Sequence, residues 1–157
     1  MHKIVWLAVG VSACGVPEAP GPCGGDPALV VGHEDVDFVP YANGDVVPVD
    51  VDGAGTYRFV FDTRTSGLDP SEVISAVVRV RFGLDPTQDF LGSIGLNCTD
   101  APASYTFLTP LDEAYQDATV LADLDGSEFA LDAVFTDVNG TIAEANLTLV
   151  LAAPAGT

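Results

Sequence analysis

The 157-residue sequence predicts an all-β antiparallel sandwich of about seven to nine strands, and three observations carry that expectation. From residue 35 onward, short runs of alternating polar and apolar residues succeed one another at intervals of about ten residues. Gly, Pro, Asn and Asp bound these runs, and those residue types supply turn geometry. No stretch repeats its apolar residues at the helical spacing.

The runs fall at 36–41 and 45–51 with Asn43-Gly44 between them, then at 56–64, 73–82, 90–98, 104–109, 118–124, 128–137 and 141–151. In the third, Tyr57, Phe59 and Phe61 share one face while Arg58, Asp62 and Arg64 take the other, because side chains alternate along a strand. The fourth puts Ile74, Ala76, Val78, Val80 and Phe82 inward and Arg79 and Arg81 outward. Phe90, Ile94 and Leu96 are the core candidates of the fifth. The last two form a hairpin across Val138-Asn139-Gly140, with Phe129, Leu131, Ala133 and Phe135 facing Ala145, Leu147, Leu149 and Leu151. Gly67-Leu68-Asp69-Pro70 recurs as Gly83-Leu84-Asp85-Pro86 on either side of the fourth run. Each copy reads as a loop whose Asp caps a one-turn helical start, not as a repeat architecture.

The hairpin carries a resemblance. Asp125-Gly126-Ser127-Glu128-Phe129-Ala130-Leu131, followed by Phe135-Thr136-Asp137-Val138-Asn139-Gly140, resembles the final two strands of bacterial immunoglobulin-like and fibronectin type III-like domains. The resemblance implies an immunoglobulin-like β-sandwich over 29–157. It also implies that the fourth run neighbours the strand of Asp132, bringing Arg79 and Arg81 near Glu128 and Asp132 on one sheet. Phe129 stands where such domains commonly have Tyr, so the tyrosine-corner hydrogen bond is lost.

The first residues belong to no sandwich. In 1–13, His2 and Lys3 precede an apolar run from Ile4 to Val11 that is too short for a permanent membrane span and reads as an export signal. Val11-Ser12-Ala13-Cys14 resembles the lipobox of bacterial lipoproteins, which implies cleavage before Cys14 and acylation of its thiol. From 14 to 28 the chain interleaves Pro17, Pro20, Pro22 and Pro27 with Gly15, Gly21, Gly24 and Gly25, the composition of a tether. Gly15, rather than Asp, after the cysteine points to the outer membrane. The run from Ala28 to Pro70 is similar to a group of predicted lipoproteins of myxobacteria and relatives, and this resemblance bears on location and fold.

Charge and composition then exclude function classes. Lys and Arg number 5 against 23 acids, for a formal net charge of -18, so phosphate-tracking nucleic-acid surfaces are excluded. Beyond the leader there is no Lys and no Trp, and His33 is the one histidine. Schiff-base chemistry and Ser-His-Asp arrangements therefore have little to draw on, and no catalytic residues or cofactors are expected. His33 beside Glu34 and Asp35 is a thin basis for zinc, which needs three or four converging ligands. Calcium prefers oxygen donors, and Asp123, Asp125 and Glu128 crowd one turn. An EF-hand register with Gly126 in sixth place would start on Leu121, and one with Gly53 would start on Pro48, so turn chemistry explains these acids better.

If Cys14 is consumed by acylation, Cys23 and Cys98 remain as a pair in an oxidising compartment and are expected to form a disulfide. The expected protein is a lipid-anchored envelope interaction module, partnered by the membrane through its lipid and by an envelope protein or polysaccharide. The alternative is a calcium-dependent ligand- or carbohydrate-binding module. Since so few cations offset the 23 acids, screening should relieve self-repulsion. Raising NaCl at pH 7 should therefore raise the thermal midpoint, and a flat or falling midpoint would mean that self-repulsion does not limit stability.

Overall fold

The computed structural model describes residues 23–85, 87–96 and 103–154. Two sheets pack face to face as an immunoglobulin-like sandwich. The first joins β1 (Ala28–Glu34), β2 (Phe38–Pro40), β4 (Asp50–Val51), β5 (Tyr57–Ser66) and β8 (Ala103–Pro110). The second has the order β3-β10-β9-β6-β7, with β3 (Val46–Pro48), β6 (Ile74–Phe82), β7 (Gln88–Ile94), β9 (Glu128–Thr136) and β10 (Ile142–Ala152). β3 pairs parallel to β10, and the other pairings are antiparallel.

Alternation builds both inner faces. Phe59 and Phe61 of β5, the inward set of β6 from Ile74 to Phe82, and Phe129, Leu131, Ala133 and Phe135 of β9 are all buried. Phe59 stacks on Phe129 across the sandwich at 4.8 Å and 14°, and Phe107 meets Phe135 at 5.5 Å. Where β5 turns polar inside, its hydroxyls are satisfied: Thr63 donates to the Tyr105 carbonyl and Thr65 to that of Ala28, both at 2.9 Å. The hairpin register sets Leu131 opposite Leu147 and Phe129 opposite Leu149.

Arg79 lies opposite Asp132 on the same sheet, as the immunoglobulin-like strand order implies, but its guanidinium meets Asp89 of β7 at 3.3 Å. The two Gly-Leu-Asp-Pro loops begin alike, with positive φ at Gly67 (71°) and Gly83 (51°). They then diverge, since Leu68 is buried in the core and Leu84 is fully exposed. Asp69 accepts from the Ser71 N–H at 2.9 Å, so the first loop is a capped turn and not a helix.

Three expectations are corrected. Residues 118–124 do not form a strand; Ala118–Asp123 is a short helix, α1. Asp117 caps it, accepting from the Thr119 and Val120 N–H groups at 2.7 and 3.4 Å, and Leu121 anchors it in the core. Six residues cannot report a period, and this connection passes between sheets instead of along one. Second, the run 45–51 is not one strand, and β2 and β3 on either side of Asn43-Gly44 join different sheets, β2 pairing with β1 and β3 with β10. Gly44 instead donates to the Thr148 carbonyl and Asn43 accepts the Thr148 N–H, both at 2.8 Å, carrying the chain onto the second sheet. Val49 still donates to the Ala152 carbonyl at 2.9 Å and the chain rejoins the first sheet at Asp50, so the run 45–51 is divided between the two sheets. Third, the packed chain begins before 29: Ala28 opens β1, and the end of the Pro/Gly-rich segment is bonded to the β5 terminus.

Removing the inter-sheet stack should be costly, because both rings are buried and neighbouring strands hold the space open. Phe59→Ala or Phe129→Ala is expected to lose about 3–5 kcal/mol in urea unfolding. A loss below about 1 kcal/mol would show that the site collapses around the cavity.

Candidate functional site

Cys14 and Cys98 lie outside the described residues. Cys23 lies across the end of β5, where its carbonyl accepts the Gly67 N–H at 3.1 Å. The Asp26 carbonyl accepts from the Ser66 hydroxyl at 3.1 Å, and a Cβ on Gly67 would come within 2.4 Å of the Asp26 backbone. The chain is thus clamped where it enters the sandwich, and glycine is required there twice over, by contact and by its positive φ.

Asp123, Asp125 and Glu128 straddle the turn from α1 into β9, and Asp125 accepts the Ala153 N–H at 2.9 Å. Among the described residues, no group of three or more His, Cys, Asp or Glu side chains is placed to hold a metal ion. Asp125 ties down the chain after β10 instead.

His33 lines a cleft of about 440 Å³ with Asp35, Tyr41, Asp50 and Asp62. The cleft exists because β1 and β4 share one edge of β5 and leave a gap between the Gly32–Asp62 and Asp50–Arg58 pairs. Most of its polar groups serve the fold. Asp62 accepts the Glu34 N–H at 2.8 Å and the Thr106 hydroxyl at 2.5 Å, and Asp50 holds Arg58 at 2.8 Å. The His33 ring packs 5.4 Å from Tyr41, with Nδ1 3.9 Å from the exposed Asp35. Burial pushes the Tyr41 hydroxyl up to about 12, with Asp62 and Asp45 adding to it, so this phenol stays protonated at neutral pH.

Two polar knots brace the ends of the sandwich. At the end where the chain enters, Asp137 accepts N–H groups from Asp69, Asn139 and Thr141 at 2.8–2.9 Å, while Asn139 Nδ2 donates to Asp69 at 2.7 Å. This joins the β5–β6 loop to the β9–β10 turn. The backbone bond from Asp69 holds the Asp137 carboxyl below its usual range, and that from Ser71 does the same for Asp69. At the other end, Tyr115 packs on Phe82 at 4.8 Å and donates its hydroxyl to Asp85.

A cleft of about 500 Å³ opens between β7 and β8, each an edge strand of its sheet among the described residues. Phe90, Ile94, Tyr105 and Phe107 line it, and Leu91 and Leu108 stand at its mouth. Leu91 is 78% exposed, Leu108 55% and Tyr105 42%. Alternation alone assigns Phe90 and Phe107 to the core and passes over Leu91 and Leu108. The available signal was the adjacent apolar pairs Phe90-Leu91 and Phe107-Leu108, which place an apolar side chain on both faces of a strand.

No family model and no curated protein matches the chain. It is similar to a solved structure, the N-terminal domain of PorA, at 13% sequence identity and a TM-score of 0.34, covering 81% of this chain and 99% of that one. The immunoglobulin-like assignment rests on the strand pairing itself.

The Asp137 and Asp69 carboxylates titrate below their unfolded values, so their contribution is full above the ordinary carboxylate range and is lost as pH falls through the folded values. Asp137→Ala should lower the thermal midpoint at pH 7 and flatten its decline in acid. An unchanged acid limb would show that other carboxylates control it. Millimolar calcium should leave the wild-type midpoint unmoved, whereas a clear rise would reveal a site at Asp123, Asp125 and Glu128.

Proposed function

We propose that this protein is an exported, lipid-anchored and non-catalytic interaction module of the bacterial cell envelope, carried on the outer membrane by an acylated Cys14. The clamp on the chain's entrance supports this reading most directly. Because Cys23 and Asp26 are hydrogen-bonded to the end of β5, the Pro/Gly-rich stretch behind Cys14 leaves the sandwich from a fixed point. Nine residues separate Cys14 from Cys23, a span of roughly 28 Å if extended as polyproline II. A tether of that length stands a domain clear of lipid headgroups. It would also leave the opposite end and both lateral edges open to an envelope protein or polysaccharide.

A disulfide between Cys23 and Cys98 belongs to the same reading. β1 and β8 flank β5 from its two sides and both start at its final residues, Ala28 opposite Ser66 and Ala103 opposite Thr65. Each cysteine precedes its strand by five residues in the sequence, and the two strands start at the same end of one sheet. A bridge there would shorten the free tether to residues 14–22. The chain-entropy model gives about 4 kcal/mol as an upper figure for a closed loop of this length.

Mass spectrometry of the mature N-terminus tests the anchor: the wild type should begin at Cys14 carrying acyl chains, and Cys14→Ser should partition out of the detergent phase. A lipid-free N-terminus beginning elsewhere would end the proposal. Alkylation without reduction should modify neither Cys23 nor Cys98, and modification of both would remove the bridge.

A further inference from the structure

We infer that the β7 edge, with the cleft between β7 and β8, is a docking groove for an extended segment of a partner polypeptide that adds as a strand and carries basic residues at one end and apolar residues along the rest. The inference rests on the interaction-module reading for the existence of a partner and on the fold for the place.

The two lateral sides of the sandwich are protected differently. On one side the outer strands are three residues each, β2 ending in Pro40 and β3 in Pro48. Short strands and proline are ordinary means of blocking edge pairing. On the other side, β7 runs seven residues in unbroken register with β6, from Val80–Gln88 to Ile74–Ile94. It contains no proline, no bulge and no basic residue, and its single charge, Asp89, is engaged by Arg79. Alternate residues of such a strand direct their N–H and C=O groups away from β6, toward the next place in the sheet.

Charge gives the groove a direction. Beside the start of β7, Asp85 and Asp112 lie on either side of Gln88 and Tyr115, with the Asp112 N–H bonded to Gln88 and the Tyr115 hydroxyl to Asp85. The following residues, Leu91-Gly92-Ser93-Ile94, carry no charge, and beside them the rings of Phe90, Tyr105 and Phe107 line a slot that Asp89 and Thr106 also border. A strand added here would set cationic side chains near the carboxylates and apolar ones on Leu91 and in the slot. Main-chain hydrogen bonds would supply affinity and the slot specificity. Complementarity favours such a segment over a second copy of this chain, which would bring the same carboxylates and a formal charge of -18.

The test uses the full-length mature chain in detergent and a blocked peptide of alternating valine and threonine led by two lysines. Fluorescence anisotropy should show saturable binding, and amide exchange in β7 should slow on peptide addition. Leu91→Lys, at an exposed position, should keep the thermal midpoint and weaken binding at least about tenfold by placing like charge in the groove. Replacing the peptide's lysines with glutamates should weaken binding by a similar factor. Absence of binding at millimolar peptide, equal binding of the glutamate peptide, or insensitivity to Leu91→Lys would overturn the inference. So would a concentration-dependent dimer abolished by Leu91→Lys, which would make the occupant a second copy. Mass analysis of the same samples reports the lipid independently, so failure of the groove is distinguishable from failure of the anchor.

Discussion

Phe59 and Phe129 face each other across the sandwich at 4.8 Å, and the arrangement of the two sheets is organised around that contact. Each ring is flanked by further aromatics, Phe61 and Phe82 at 5.5 and 6.3 Å from Phe59, and Phe82 at 5.6 Å from Phe129. Stacked sheets lie about 10 Å apart, so the interior is one layer of interdigitated side chains and must be filled without gaps. Phenylalanine from both faces meets that requirement at the centre. Toward the end where the chain enters, β5 presents Thr63 and Thr65 instead, each returning its hydroxyl to a backbone carbonyl.

Polar chemistry is used at the ends, where loops must be held. Asp137 gathers three backbone N–H groups, Asp52 accepts those of Ala54 and Thr56, and Asp117 caps α1. Many of the acids of this unusually acidic chain thus have local backbone work, which is the ordinary reason Asp occupies turns. The same economy explains why the His33 cleft holds carboxylates without presenting a reactive group: Asp50 and Asp62 are already bonded across strands. By contrast, the lateral opening between β7 and β8 keeps apolar side chains that the fold does not bury.

Much of the sandwich was legible because alternation has a direct physical meaning when one face of a strand is buried. Ile74, Ala76, Val78, Val80 and Phe82 could be assigned inward from β6 alone, and a one-residue slip would have exposed all of them. Residues 118–124 failed for the opposite reason, since alternating apolar residues over one short segment fit a strand and a two-turn helix equally well. β1 was lost in the shadow of the Pro/Gly-rich stretch before it, although Leu29 and Val31 are buried in the core. The candidate groove was almost illegible, because exposure at an edge depends on which strand lies alongside.

The sequence by itself determined the all-β class, the hairpin from Glu128 to Ala152 and the inward faces of β5 and β6, because each follows from the two-residue period of a half-buried strand. The resemblance to a lipobox is equally local, residing in four consecutive residues. Only the tertiary structure decided that β3 leaves its neighbour to run parallel to β10, and that Leu68 is buried where Leu84 is exposed. It alone left β7 and β8 as edge strands among the described residues. Those outcomes depend on contacts between residues far apart in the chain, where competing pairings with the same local pattern differ in what they bury against.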